Sequence, residues 1–226
     1  MKPLILLRPE PGTSLTAERA ESMGFAEVIK APLFKVRPVD WTVPEADRFD
    51  AMLLTSANAP RHAGAGLEAL RRLPVHAVGE ATAKAARAAG LMVDTIGDGG
   101  ITELLDQLGK PQRLLHLCGQ HRRAADAGHH TIIAIPVYSA IAREEPSGLD
   151  RLEGSVACIH SPRAGARIAE LVEREQLDRS AITLAAISAA AAEACGEDWE
   201  NLSIAKSPDD ASLLALAKRL CEDAAS

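Results

Sequence analysis

The chain has 226 residues, of which 25% are charged, and its formal net charge at pH 7 is −6. Aromatic residues make up only 3% of it, which argues against a base-stacking nucleic-acid platform, and the negative charge argues against a general polyanion binder. The four cysteines have no CxxC spacing, which argues against a zinc site or a disulfide framework and favours a reducing cytoplasm.

Short apolar segments alternate with segments of helical periodicity along most of the chain. The first apolar segment, 3–7, is too short for a signal peptide, and no segment is long enough to cross a membrane. Helices are expected between the apolar segments, including one that Ser14 caps and Gly24 ends. Apolar strands separated by helices predict an α/β fold with parallel sheets, which are buried on both faces. The predicted strands are 3–7, 26–32, 50–54, 74–78, 91–96, 113–117, 155–160, 181–187 and LSIAK from Leu202 onward.

Two extended segments break this alternation. They cover about residues 31–40 and 131–144, are rich in β-forming residues, and are interrupted by Pro38 and Pro136. Neither leads directly into a helix, so both are predicted to be connecting strands between two lobes. The expected layout is nested: residues 1–33 and 144–226 form one lobe, and residues 37–137 form the other.

Small, hydroxylated or basic residues follow most of the predicted strands. In open α/β sheets ligands bind beyond the carboxyl ends of the strands, next to helix N-termini that favour anions. Ser161 before Pro162 is typical of a helix N-cap, and Asn58 predicts a cap on another helix. Caps and turns explain each residue taken alone, whereas the whole set predicts a cleft between the lobes for a carboxylate-bearing ligand. The set is Arg8, Thr55, Ser56, Gly79, the GDGG turn at 97–100, Gly119, Ser161, Ser188 and Lys206.

Arginines are available to bind such carboxylates through bidentate hydrogen bonds. Cofactor, metal and triad chemistry are not expected, because no GxGxxG or GxxxxGK[ST] motif is present, the histidines lack metal-ligand spacing, and nothing orients a histidine onto a serine. For Arg122, Arg123 and Arg167 a solvated surface is the favoured alternative to a site role. The arginines considered are Arg8, Arg37, Arg61, Arg122, Arg123, Arg143, Arg163 and Arg167.

Tyr138 is the only tyrosine of the chain and lies in the second connecting segment. A phenol at that position would donate a proton or a hydrogen bond into the cleft. A packing role with the hydroxyl at the surface is the alternative.

Five segments spread over nearly the whole chain share a pattern: LLTSANAPR (53–61), HAVGEATAKAARAAG (76–90), IPVYSA (135–140), CIHSPRAGA (158–166) and KSPDDASLLAL (206–216). Taken in order, they resemble the uroporphyrinogen-III synthase family. The resemblance implies two flavodoxin-like parallel-sheet lobes, joined by a two-stranded β-ladder, with an active site that needs neither cofactor nor metal. The implied reaction closes hydroxymethylbilane, a linear tetrapyrrole with eight carboxylates, to uroporphyrinogen III with loss of water and inversion of ring D.

The resemblance also implies roles for individual residues. Tyr138 matches the family's proposed proton donor to the leaving hydroxyl. Thr55, Ser56, Thr82 and Ser161 match positions thought to bind substrate. With the strand-end residues, the candidate substrate-binding set is Arg8, Thr55, Ser56, Asn58, Gly79, Thr82, Ser161, Arg163 and Ser188.

The chain departs from the family in two places. Many members have a Thr-Thr pair where this chain has Ala190 and Ala191, and a glycine where it has Ser188. The segment GQHRRAADAG (119–128), predicted to be a short helix and turn, is shorter than the usual one. Because Ala190 and Ala191 lack the hydroxyls of that pair, one alternative is a non-catalytic two-lobed module that binds a tetrapyrrole or another anionic metabolite. A second alternative is a different α/β enzyme. A cytoplasmic monomer is expected.

Overall fold

The computed structural model describes residues 1–97, 100–121 and 126–223. These residues form two compact units: the first holds residues 1–35 and the chain from residue 142 onward, and the second holds residues 36–141. The predicted helix and turn at 119–128 includes residues 122–125, which lie outside the described residues.

The first unit contains a five-stranded sheet. Its strand order is β11-β10-β9-β1-β2, and every neighbouring pair is parallel. Strands β1, β9 and β10 are buried at every residue, as expected for central strands that are covered on both faces. The elements are β1 (Leu4–Leu6), α1 (Gly12–Ser22), β2 (Val28–Lys30), β9 (Val156–Ile159), α5 (Pro162–Arg174), β10 (Thr183–Ala186), α6 (Ala189–Glu193), β11 (Asn201–Ile204) and α7 (Asp210–Asp223).

The second unit contains most of a six-stranded sheet of order β3-β8-β7-β4-β5-β6. The five strands from β8 to β6 are parallel to their neighbours, and apolar clusters cover both faces. The two predicted connecting segments form β3 and β8, the strands that contain the two chain crossings between the units. The elements are β3 (Phe34–Pro38), β4 (Ala51–Leu54), α2 (Asn58–His62), β5 (Val75–Val78), α3 (Glu80–Ala88), β6 (Val93–Gly97), α4 (Ile101–Gln107), β7 (Arg113–Gly119) and β8 (Thr131–Ala142).

The predicted cap of α1 is wrong at its start and right at its end. Ser14 lies inside the helix, which begins at Gly12. The Glu10 carboxylate accepts hydrogen bonds from the Ser14 amide (3.2 Å) and from its hydroxyl (3.0 Å), and so satisfies an amide of the first turn in place of a serine cap. After the last turn, Gly24 has φ 76° and donates its N–H to Glu21 at 3.0 Å. This left-handed conformation is the usual reason for a glycine after a helix.

Helices α5 and α6 pack closely at Gly165. A Cβ at this position would lie 2.6 Å from the Ala191 carbonyl oxygen and 2.9 Å from Cys195 Sγ. Ala191 itself is fully buried. Ala191, the second residue of the Ala190 and Ala191 pair, therefore belongs to a tight helix contact.

Gly165→Ala is expected to destabilise the protein by about 2 kcal/mol, because overpacking at this contact outweighs the helix propensity that alanine gains. Urea unfolding followed by circular dichroism measures the free energy. Gly109→Ala is the matched control, since nothing lies within 4 Å of a Cβ at Gly109. A stabilised Gly165→Ala variant would show that the two helices move apart at no cost.

Candidate active site

The second unit brings several candidate residues to one edge of its sheet. Strand β4 lies between β5 and β7, and all three are parallel, so their carboxyl ends lie at the same edge. Thr55 and Ser56 follow β4, Gly79 follows β5, and Gly119 ends β7. This edge is where open α/β sheets bind their ligands.

The two hydroxyls after β4 have different partners. Thr55 Oγ1 lies 3.0 Å from Nε2 of His116 on the neighbouring strand, which fixes the side chain toward the sheet. Ser56 Oγ accepts a hydrogen bond of 3.2 Å from the Asn58 amide. The predicted Asn58 cap is wrong: Ala57 occupies the N-cap position, and no side-chain cap hydrogen bond is made there.

Tyr138 is half-buried and lies against Gly119. A Cβ at Gly119 would lie 2.8 Å from Cζ and 3.0 Å from the hydroxyl oxygen of Tyr138. The Ser56 side chain lies near enough to the phenol to lower its pKa. The ring of His62, on α2, is tilted against the tyrosine ring at a centroid distance of 6.3 Å. Three candidate features, the phenol, the serine hydroxyl and the glycine, are therefore brought together within one unit.

Burial raises the pKa of the Tyr138 phenol above its ordinary value, the Ser56 side chain opposes that rise, and the neighbouring Cys118 adds to it. The net direction is upward, so the phenol keeps its proton at neutral pH. The pKa of His62 is lowered by burial and by the charge of Arg61, so this neighbour is neutral at the same pH. Tyr138 and His62 are thus both uncharged at neutral pH, and the phenol can donate its proton.

Gly79 occupies the N-cap position of α3 with φ 79°, a conformation that favours glycine. Its carbonyl accepts from the amides of Thr82 and Ala83, each at 3.1 Å. Thr82 is buried, with 5% of its surface exposed. After the next strand along the chain, residues 98 and 99 of the GDGG turn lie outside the described residues.

In the first unit, two serines cap helices after neighbouring strands. Ser161 Oγ accepts from the Ala164 amide at 3.2 Å, with Pro162 as the first helical residue, which confirms the predicted cap. Ser188 Oγ accepts from the Ala191 amide at 3.3 Å. The guanidinium of Arg163 lies over the ring of Phe34, 4.7 Å from its centroid.

Arg8 is held by a cluster that the sequence pattern did not reveal. Its Nη1 donates to Asp210 Oδ1 and to Thr16 Oγ1, both at 3.1 Å. The same carboxylate accepts from His160 Nε2 at 3.1 Å and from Arg19 Nη1 at 2.6 Å. Asp210 is the first residue of α7 and lies within the KSPDDASLLAL segment, so the available signal was an acidic residue at a helix start.

The ionisation of this cluster follows from its hydrogen bonds. Burial alone would raise the pKa of Asp210, but hydrogen bonds from His160, Arg19 and Thr16 and the charge of Arg8 hold it well below its usual range. Burial lowers the pKa of His160, and the nearby Asp210 opposes this only in part. At neutral pH the cluster therefore contains an ionised carboxylate and a neutral imidazole.

His160 is expected to make the first unit sensitive to mild acid. Its folded pKa lies below the unfolded value of about 6.5, so the unfolded state binds more protons there, and stability falls as pH drops through about 6.5. His160→Gln keeps an N–H donor for Asp210 and should lose less stability between about pH 7 and 5 than the parent does. Urea unfolding across this range measures the difference, with the exposed His121→Gln as control; parallel curves for parent and His160→Gln would contradict it.

The remaining candidate arginines differ in exposure and in hydrogen bonding. Arg167 is not on a solvated face: its side chain is 12% exposed, and it donates to Glu170 and to the Arg143 carbonyl, each at 2.6 Å. Arg37, Arg61 and Arg143 have exposed side chains. Arg122 and Arg123 lie outside the described residues.

Among residues 1–97, 100–121 and 126–223, no group of three or more His, Cys, Asp or Glu side chains is arranged to hold a metal ion. Within the same ranges no helix is both long and apolar enough to cross a membrane.

Comparison with known proteins gives one family and several solved structures. The family described as uroporphyrinogen-III synthase HemD matches residues 14–215. The uroporphyrinogen-III synthetase of Helicobacter pylori 26695 is 18% identical, with a TM-score of 0.63 over 97% of this chain and 100% of that one. A mutant uroporphyrinogen III synthase of the extremely thermophilic bacterium Thermus thermophilus is 19% identical, with a TM-score of 0.54 over 98% and 99%. No sequence among the curated proteins matches.

Proposed function

The chain belongs to the uroporphyrinogen-III synthase family, and we propose that it closes hydroxymethylbilane to uroporphyrinogen III as a cofactor-free, cyclising hydro-lyase of tetrapyrrole biosynthesis. The family match over residues 14–215 carries this proposal. The substrate closes without inversion when left in water, so the enzyme must fold the chain and favour one cationic route. Such catalysis depends on positioning and electrostatics rather than on a strong acid–base pair.

Tyr138 is proposed to protonate the leaving hydroxyl. The C–O bond breaks, water departs, and the pyrrole nitrogen stabilises the cation that remains. Two observations support this role: the phenol carries its proton at neutral pH, and it lies at the strand-end edge where ligands bind.

Substrate carboxylates are proposed to bind to strand-end groups of each unit. Thr55, Ser56, Asn58, Gly79 and Thr82 would serve in the second unit through hydroxyls, amides and the start of α3. In the first unit the proposed set is Arg8, Ser161, Arg163 and Ser188. Arg8 keeps 32% of its side chain exposed while Asp210 holds Nη1, so its other N–H groups are available to a carboxylate.

A cytoplasmic monomer is proposed as the working form. The four cysteines, all among the described residues, are buried and form no disulfide, which fits a reducing compartment. Size-exclusion chromatography with light scattering measures the mass in solution; a dimer would overturn the monomer.

An isomer assay tests the function directly. Hydroxymethylbilane is generated in situ, the purified chain is added without metals or nucleotides, and the oxidised products are separated as type I and type III porphyrins. Type III above the no-enzyme background is expected. Type I alone with tight binding of the tetrapyrrole would favour the non-catalytic binding module. Type I alone without binding would mean that the ligand has been misidentified.

A further inference from the structure

We propose that Gly119 and Ser56 are positioning residues that hold the Tyr138 hydroxyl in its working place, an inference that rests on the proposed function. Gly119 provides a surface without a side chain beneath the hydroxyl end of the ring. Ser56 provides a hydroxyl beside the phenol oxygen. Neither residue needs to change bonding during the reaction.

The glycine is explained by the tyrosine ring and not by the backbone. Gly119 is outside the left-handed region of φ, so any residue would fit its backbone. The obstacle is the ring: a Cβ would lie 2.8 Å from Cζ, 2.9 Å from Cε2 and 3.0 Å from the hydroxyl oxygen of Tyr138. These atoms form the hydroxyl end of the phenol, so a methyl group at Gly119 displaces the reacting atom itself.

The backbone around the tyrosine is fixed, so the ring has to move if the glycine is replaced. The Gln120 amide donates to the Tyr138 carbonyl at 2.9 Å, and the Val39 amide donates to the Val137 carbonyl at 3.2 Å. An irregularity between Cys118 and Gly119 shifts the register, so that Gly119 pairs with Tyr138. The bulge thereby places Gly119 opposite Tyr138, and the missing side chain leaves room for the phenol.

The Ser56 hydroxyl is oriented by the local turn that it forms with Asn58. Its oxygen accepts from the Asn58 amide at 3.2 Å, which leaves the hydroxyl hydrogen for the phenol oxygen. When Tyr138 gives its proton to the departing hydroxyl, the C–O bond breaks, water leaves, and a phenolate remains. The Ser56 O–H stabilises that phenolate, and the proton released when the ring-closing carbon–carbon bond forms restores the phenol.

The single tyrosine allows a test that does not depend on activity. The chain is produced with tyrosine labelled with ¹³C at Cζ, which gives one protein signal, and the spectrum is recorded at neutral pH. Gly119→Ala and Ser56→Ala are each expected to shift that signal while circular dichroism and Tm stay close to the parent. Gly109→Ala, where a Cβ meets nothing within 4 Å, is the control and should leave the signal in place. An unmoved signal in Gly119→Ala would overturn the inference.

A double-mutant cycle separates positioning from direct substrate binding. Gly119→Ala and Ser56→Ala are each expected to lower kcat for type III product at least about tenfold in the parent and to have almost no further effect in Tyr138→Phe. If Ser56→Ala lowers kcat equally in the parent and in Tyr138→Phe, or raises KM alone, Ser56 binds substrate independently of the phenol. Either result would overturn its positioning role. Type I product alone from the parent would instead overturn the proposed function.

Discussion

Tyr138→Phe is expected to lower kcat for type III product by at least about 100-fold while leaving Tm and product binding nearly unchanged. Phenylalanine keeps the ring that packs on Gly119 and removes only the hydroxyl. Because the phenol is protonated at neutral pH, the variant loses a proton donor and not a charge. The measurement is the initial rate of type III formation, with spontaneous type I closure subtracted.

The control for this variant is Thr131→Val, which removes an exposed hydroxyl from the same strand, β8. It should keep the parent rate. A Tyr138→Phe variant with unchanged kcat would remove the phenol from the mechanism. A variant that lost product binding in proportion to rate would make Tyr138 a binding group and not a proton donor.

Asp210→Ala is expected to lower the free energy of unfolding by about 3 kcal/mol, the loss typical of a buried ion pair that is deprived of one partner. The carboxylate is 12% exposed and accepts from four side chains of the first unit. Its removal leaves the His160 N–H without its acceptor and deprives the Arg8 guanidinium of its carboxylate, although Thr16 Oγ1 still accepts from Arg8. Arg19 is exposed and exchanges its partner for water, so it contributes little.

Urea unfolding at neutral pH, followed separately for secondary structure and for tryptophan fluorescence, measures this loss. Asp210→Asn should lose less, because an amide oxygen still accepts hydrogen bonds where the charge is gone. Asp106→Ala, an exposed carboxylate of α4, is the control and should stay within about 0.5 kcal/mol of the parent. Equal losses of unfolding free energy in Asp210→Ala and Asp106→Ala would mean that water satisfies the partners of Asp210 as well as the carboxylate does.

The strands were predictable because each central strand of a parallel sheet is a short, continuous apolar segment. Segments such as 50–54 and 155–160 therefore located β4 and β9 to within a residue or so. The Ser161 cap was equally visible, since the serine and the following proline are adjacent in the chain. Such features depend on neighbours in sequence.

The remainder depends on partners that are distant in sequence. Asp210 and Arg8 meet only because β1 lies beside β9 and α7 packs in the same unit. The contact between Gly119 and Tyr138 depends on a register shift that no local pattern announces. The Asn58 cap failed for a local reason: the helix begins at Asn58 itself, whose amide donates to Ser56 Oγ, so the asparagine is the first helical residue and not the residue before it.

The position of β1 has a consequence for how the chain is made. Leu4 pairs with Val156 on one side and with Val28 on the other, and the Lys2 amide donates to the Cys221 carbonyl at 3.0 Å. A ribosome adds roughly 5–20 residues per second, so β9 is made about 8 to 30 seconds after β1, the strand that it pairs with. Residues 36–141 can meanwhile complete their own unit. During translation, β1 therefore reaches its pairing with β9 only after the whole second unit has been made.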